Sequence, residues 1–309
     1  MVDKPTMDFG YNPPTGVRNL ETIRPKYFMS DMKHALDFAS DNFSSLWISD
    51  HINYENEFRI ECWTLLTWIA TQYSNPKLGT IVMSNSFRTP SMMAKMGASL
   101  QHISSGRLIL GYGAGWHEGE YKAFGFDYPP PGTRVEMLNE GIQVIKKLWT
   151  EAPADFTGKY YRVENAHCEP RPNPVPPIMI GGAGEKKTLR VVAEHADWWN
   201  DLSRPVEQTR RKLDALRGHC EDIGRDYDTI RKTFTARIFI DRDRNKARAS
   251  AANWMNADQP PIVGDPAEVK DRLFEWADMG FDLCITVFPE FQSLEDMKLF
   301  TDKVMPHFQ

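Results

Sequence analysis

The chain has 309 residues, 41% hydrophobic and 26% charged, with 37 Lys and Arg against 42 Asp and Glu. A formal net charge of -5 and a pI near 5.9 exclude a surface basic enough to track a phosphate backbone, so no nucleic-acid partner is expected. No apolar run approaches the roughly 20 residues of a membrane span, so no membrane partner is expected either.

The opening "MVDKPTMDFGYNPP" lacks the basic-then-apolar pattern of a signal peptide. The cysteines, Cys62, Cys168, Cys220 and Cys284, are scattered, with no C-x-x-C pair and no zinc-finger spacing to a histidine. Both features fit a cytoplasmic protein whose cysteines serve as small hydrophobes.

The predicted elements alternate along the chain. "MDFGY" (7–11) reads as a first strand, and a helical pattern runs over 27–43. "SLWIS" is the second strand and stops on Asp50 and His51. "EFRIECWTLLTWIATQY" reads as one aromatic-rich helix, and "KLGTIVMS" (77–84) as the third strand. Thr89-Pro90 gives an N-cap followed by Pro at the first helical position. The helix it opens carries Met93, Met96, Leu100 and Ile103 at spacings of three and four, the signature of a core-facing stripe. "RLILGYG" (107–113) is the fourth strand, and 116–132 reads as a loop. An amphipathic helix with Val135, Leu138, Ile142, Ile145 and Trp149 on one face comes next. Pro-rich extended sequence with a short hairpin is expected over 151–177. "PIMIGG" (177–182) and "DWWN" (197–200) are the fifth and sixth strands, separated by the helix of "EKKTLRVVAEHA". After a helix stopped by Gly224 come the seventh strand (229–240) and a solvated helix over 242–254. A capping box of Asp265, Pro266 and Glu268 opens a helix that closes on Gly280. "DLCITVF" (282–288) is the eighth strand, and a last helix covers about 293–305.

Alternating strands and helices imply a parallel sheet with helices outside. Eight such units at this length predict an α/β fold of the (β/α)₈ TIM-barrel type, with a doubly wound sheet as the alternative. The chain reads as one domain over 1–309 with insertions near 116–132 and 151–177. A barrel works at the C-terminal ends of its strands. Asp50, His51, Ser84, Asn85, Gly111, Gly113, Gly115, Trp116, Gly181, Gly182 and Gly184 all fall there.

Several motifs narrow the chemistry. "GYGAGW" (111–116) misses G-x-G-x-x-G, because residue 116 is Trp and the motif follows the fourth strand, not the first. "GGAGEKKT" (181–188) lacks the Gly-Lys-Ser/Thr adjacency of a nucleotide triphosphatase. What remains is a glycine-rich strand end opening a helix, which suits a phosphate, with Lys186, Lys187 and Arg190 adding charge. "HEGEY" (117–121) is not H-E-x-x-H, and no metal is expected. No G-x-S-x-G elbow is present. Asp50 beside His51 has two readings: turn and capping chemistry, or an acid–base unit in which the carboxylate holds the imidazole.

"SLWISDHI", "LGTIVMSNSFRTPSMMAKMGASLQHISSGRLILGYGAGWHEGEYKAFGFDYP", "FTGKYY" and "PPIMIGGAGEKKTLRVVAEHADWWN" together resemble the luciferase-like monooxygenase superfamily, in its branch of deazaflavin-dependent oxidoreductases. The resemblance runs from about residue 27 to residue 290. It implies a bacterial luciferase-like TIM barrel, a homodimer, and coenzyme F420 or, alternatively, FMN at the C-terminal mouth. It implies hydride transfer between that cofactor and a small organic substrate, with Asp50 and His51 orienting the ring and moving a proton. It places a non-proline cis peptide behind the ring at Ile81-Val82, and Ser84 and Asn85 at the ring's polar edge. Gly111, Gly113 and Gly115 would line the cofactor's chain, and Gly181, Gly182 and Gly184 would hold its phosphate. Trp116 stands where the family's sugar-phosphate dehydrogenase carries Glu, which argues against a sugar phosphate and gives Trp116 the task of covering the ring or shaping the pocket. The rival readings are an FMN-dependent monooxygenase using reduced flavin and oxygen, and a non-catalytic flavin-binding subunit.

Overall fold

Apolar runs that end on polar or glycine residues become the strands of a closed parallel barrel in the computed structural model, which describes residues 6–17, 25–53, 58–289, 291 and 293–308 apart from the side chains of 17, 25 and 26. The barrel strands are β1 (Asp8–Tyr11), β2 (Ser45–Ile48), β3 (Lys77–Thr80), β4 (Leu108–Gly113), β5 (Ile178–Gly181), β6 (Trp198–Leu202), β7 (Arg231–Ile240) and β8 (Leu283–Val287). Each pairs in parallel with the next in chain order, and β8 closes on β1 with Asp8 opposite Leu283. This is the (β/α)₈ architecture the alternation predicts, not the doubly wound sheet.

The helices that cover the ring are amphipathic and bury their apolar faces against it. In α3 (Pro90–Ile103) the Thr89 hydroxyl caps Met92 N–H and Pro90 takes the first turn, as expected. Met93 and Leu100 are buried, but Ile103 at the end of the stripe is exposed. α5 (Pro131–Thr150) buries Leu138, Ile142, Ile145 and Trp149. The capping box of Asp265 and Glu268 opens α9 (Pro266–Asp278) with both of its hydrogen bonds present. Among the described residues, no helix is long and apolar enough to cross a membrane.

The barrel's interior is filled by Trp47, Ile109, Met179, Trp198, Leu283 and Ile285, with Ile81 and Val82 packed on top. Trp47 fits because its neighbours in the ring give way. A Cβ on Gly79 would stand 2.2 Å from the Trp47 ring, and one on Gly10 2.6 Å from its Nε1. Gly79→Ala is therefore an overpacking change, expected to cost about 1–3 kcal/mol. Gly218, inside α7 (Val206–Asp222), has no atom within 4 Å of such a Cβ. Gly218→Ala is expected to stabilise by about 0.4–1 kcal/mol. Urea midpoints measured side by side check both signs; equal midpoints would mean that Trp47 does not depend on Gly79.

Four expected boundaries move. Residues 58–59 form a two-residue antiparallel ribbon with 16–17, and the helix starts only at α2 (Cys62–Gln72). Glu57, the first residue of the expected helix, lies outside the described residues. β3 stops at Thr80, and Met83–Ser84 pairs separately with β4. The expected loop after β4 holds a short helix, α4 (Glu118–Ala123). A strand over Ile262–Gly264, not foreseen, extends β7 beyond the barrel. The hairpin expected in 151–177 is present, with Ala154–Thr157 antiparallel to Arg162–Ala166.

Candidate active site

Over β3 to β5 the C-terminal rim is a low shelf. The Ile81–Val82 peptide bond is cis, as the resemblance implies. The Val82 side chain lies so close to β4 and β5 that a Cβ on Gly113 would come within 2.7 Å of it, and one on Gly181 within 2.8 Å. Glycine at both positions makes room for the Val82 side chain between β4 and β5. Gly111 sits one layer deeper. A Cβ there would meet the Thr80 carbonyl at 1.8 Å, so this glycine serves the approach of β4 to β3. Gly115, with φ +71, turns the chain away above the shelf, against the Tyr121 and Ser84 hydroxyls.

Asp50 and His51 leave β2 together and part at once. The Asp50 carboxylate, its side chain 2% exposed, accepts from Ser84 N–H at 2.8 Å. It also accepts two hydrogen bonds from Arg88, Nη1 to Oδ2 at 3.0 Å and Nη2 to Oδ1 at 3.2 Å. Burial pushes the Asp50 carboxyl above its usual range, against the pull of Arg88 and Ser84 N–H. Arg88 reaches on to Glu61, which caps α2 by accepting from Trp63 and Thr64 N–H. The partner expected for His51 was Asp50; the carboxylate that holds it is Glu120.

Glu120, on the first turn of α4, accepts from His51 Nδ1 at 2.8 Å and from Asn53 N–H at 3.1 Å. Its side chain is 1% exposed. Burial raises its carboxyl, but the His51 hydrogen bond, with help from the N–H groups of Asn53 and Ile52, outweighs burial and holds it below the usual carboxylate range. An ionised Glu120 favours a proton on the Nδ1 that faces it and so orients the His51 ring.

The Trp116 ring stands edge to face with His51, centroids 5.9 Å apart, and is 65% exposed. Its backbone is pinned on both sides: Arg134 Nε donates to the Gly115 carbonyl at 3.3 Å, and Tyr128 Oη to the Trp116 carbonyl at 2.8 Å. Arg134 also lies over the Tyr128 ring at 4.1 Å. The segment after β4 is thus a strap built to hold Trp116 and Glu120 over His51. His117 caps α4 through Nδ1, and Glu118 pairs with Lys122 in solvent.

Other expected site residues have different surroundings. The Ser84 hydroxyl meets Tyr121 Oη at 3.1 Å beside Gly115. The Asn85 side chain turns outward: its Nδ2 donates to Tyr161 Oη at 2.9 Å in the hairpin, and its Oδ1 faces Gly141 of α5. Asn85 therefore joins the insertion to the barrel, not to a polar edge of the shelf. Gly182, with φ +122, and Gly184 are exposed in the turn between β5 and α6 (Thr188–His195). The cations expected around that turn are largely committed. Lys187 pairs with Glu136 at 3.0 Å, and Arg190 with Glu194 at 2.6 Å and Asp222 at 3.4 Å. Lys186 is exposed. Among the described residues, no group of three or more His, Cys, Asp or Glu is placed to hold a metal ion.

Arg88 and Glu120 were missed at the level of sequence. A faint signal existed for each: an Arg four residues past the end of the expected third strand, and a second Glu in "HEGEY" one helical turn past His117.

A closed parallel barrel with a cis peptide and a carboxylate-held imidazole at the C-terminal ends of its strands is a (β/α)₈ barrel, a class that carries its active sites at that rim. A family model described as luciferase-like monooxygenase matches residues 34–261, and the chain belongs to that family. It is 29% identical over 244 residues to an F420-dependent glucose-6-phosphate dehydrogenase of Kineococcus radiotolerans, covering 76% of this chain and 72% of the relative. It is 24% identical to an FMNH(2)-dependent dimethylsulfone monooxygenase of Pseudomonas fluorescens, covering 70% of this chain and 69% of that one. In fold it superposes on an F420-dependent secondary alcohol dehydrogenase, solved in complex with an F420-acetone adduct, with a TM-score of 0.84 at 18% identity, over 98% of this chain and 99% of that one.

Proposed function

We propose that the protein is an oxidoreductase that transfers a hydride between coenzyme F420 and a small organic substrate. The observation that carries this reading is the His51–Glu120 pair, a buried carboxylate holding an imidazole at the C-terminal ends of the barrel strands. The relatives named for F420 support the choice of cofactor. Ile81, Val82, Gly113 and Gly181 would support the ring. Gly115 would line the chain, with Gly111 beneath it, and Gly182 and Gly184 would hold the phosphate. Bound there, the cofactor supplies or accepts the hydride.

The chain's own residues do the rest. His51 Nε2 takes or returns the substrate's proton. Glu120 holds the ring in the tautomer that can do so and stabilises the imidazolium that forms. Trp116 covers the mouth and limits water. Asp50 acts one step removed, holding Arg88 and the Ser84 turn that carries one end of the shelf. A homodimer and a cytoplasmic location belong to the same reading.

Titration of the purified apo-protein with F420 and, separately, with FMN tests it. F420 is expected to bind tightly, and turnover to proceed without oxygen uptake. Tight binding of FMN alone, with oxygen consumed, would replace this reading with the monooxygenase chemistry that the dimethylsulfone enzyme's name describes. Binding of neither would remove the cofactor assignment.

A further inference from the structure

In the helical layer outside the barrel, one cleft is lined by bases and by no acid. It lies between α9 and α10 (Glu295–Lys303) and has a volume of about 340 Å³, room for a small metabolite. Its walls follow from helical spacing. On α9, Pro266 and Ala267 stand four and three residues before Lys270 and share its face. On α10, Leu299 and Lys303 are four apart, and His307 follows in the short 3₁₀ turn beyond, Met305–His307. Arg242 reaches the same cleft from the loop after β7.

The needs of the fold do not account for this gathering. Lys303 sits in the last turn of α10, where the helix dipole favours a cation. Arg242 and Lys270 have no such reason, and they arrive from separate elements. Among the described residues, Arg242, Lys303 and His307 make no ion pair, and Lys270 meets only its neighbour Asp271, at 3.5 Å. Nearby acids are committed elsewhere. Asp241 and Asp243 accept from backbone N–H groups of their own loop. Asp265 caps α9 and pairs with Arg244, and Glu268 pairs with Arg248. The chain as a whole has 42 acids against 37 bases, so a cleft with three cationic side chains, an imidazole and no carboxylate runs against its composition. A cleft of one sign focuses its field and concentrates counter-ions. Arg242 supplies the planar fork that suits carboxylate and phosphate, and Lys270 and Lys303 supply point charges.

We infer that this cleft binds a small, multiply charged oxyanion, a phosphate-bearing or polycarboxylate metabolite. Its charged groups lie on Arg242, Lys270 and Lys303, and its carbon skeleton lies against Leu299 and Pro266. None of these residues belongs to the mouth, so the inference is independent of the cofactor assignment.

Calorimetric titration of the cofactor-free protein with pyrophosphate, citrate and acetate tests it. Pyrophosphate or citrate is expected to bind saturably, and at least about tenfold more tightly than acetate, the scale of one further hydrogen bond to a charged group. The tighter of the two identifies the head group as phosphate or carboxylate. Added salt should weaken the binding. Arg242→Gln combined with Lys303→Gln should weaken it by at least about tenfold. Lys298→Gln removes a charge of the same sign from an exposed position of α10 outside the cleft and should leave it unchanged. Lys187→Gln, beside the glycine turn, separates the cleft from the mouth and should leave it unchanged too. The inference is overturned if neither polyanion binds saturably, or if Lys298→Gln weakens binding as much as the double variant does. Binding that survives the double variant and is lost in Lys187→Gln overturns it as well, because the anion then sits at the glycine turn.

Discussion

His51→Ala is expected to lower turnover by about 10²- to 10⁴-fold, the range one acid–base side chain supplies, with cofactor affinity staying at the wild-type level. Glu120→Gln keeps the size of the side chain but removes the carboxylate that fixes the Nδ1 proton. Its loss is expected in kcat, by about 10- to 100-fold, the range found when a partner that orients a histidine is removed. KM should change little, because the Glu120 side chain is 1% exposed and bonded to His51. A purely structural role for Glu120 would not move the pH dependence of kcat, which is the discriminating readout; stability against pH tests separately whether Glu120 is held ionised. Glu120 is held below its ordinary value of 4.5 in the folded chain. A depressed carboxyl contributes stability that is present above its unfolded pKa and is lost as pH falls through its folded one. The wild type should therefore lose more stability on acidification below about pH 4.5 than Glu120→Gln does. Wild-type turnover in both variants would show that His51 carries no proton.

The second large effect is one of stability. Asp50 and Arg88 form an ion pair whose side chains are 2% and 14% exposed. Removing one partner of such a pair leaves a buried charge uncompensated, at about 3–5 kcal/mol. Arg88→Met is expected to reach that range, because it strands Asp50. Asp50→Asn should cost less, about 1–3 kcal/mol, because Arg88 keeps Glu61 as a partner. The double variant should cost less than the sum, since the two residues share one network. Urea denaturation of the four proteins measures the cycle. An Arg88→Met variant within about 0.5 kcal/mol of wild type would remove the pair from the account of the fold. F420 affinity should fall with Arg88→Met, because the Ser84 turn that Asp50 holds adjoins the shelf.

Much of this arrangement was legible in the sequence. Each barrel strand is a short apolar run ending on glycine or polar residues, and that pattern is local. The errors fell where local pattern and tertiary contact disagree. Phe58 and Ile60 continue the apolar run of the following helix, yet residues 58–59 pair with 16–17, and Glu61 caps the helix although Glu is not among the usual N-cap residues. α4 is six residues long with no apolar period to announce it. The site was half readable for the same reason. Asp50 and His51 are visible because they end a strand. Their partners stand 38 and 69 residues away, and adjacency in sequence pointed to the wrong pair.

Because the ring closes in chain order, the mouth is also divided in chain order. Residues 48 to 134 hold the imidazole, its carboxylate, the strap and the cis peptide. Residues 181 to 254 hold the glycine turn and the rim formed by β6 and β7. The two halves meet at the β4–β5 seam, where Gly113 and Gly181 flank Val82. Under the proposed function, the residues that would handle the proton and the glycine turn that would hold the phosphate therefore sit on separate halves of the polypeptide, so that a change in one half need not disturb the other.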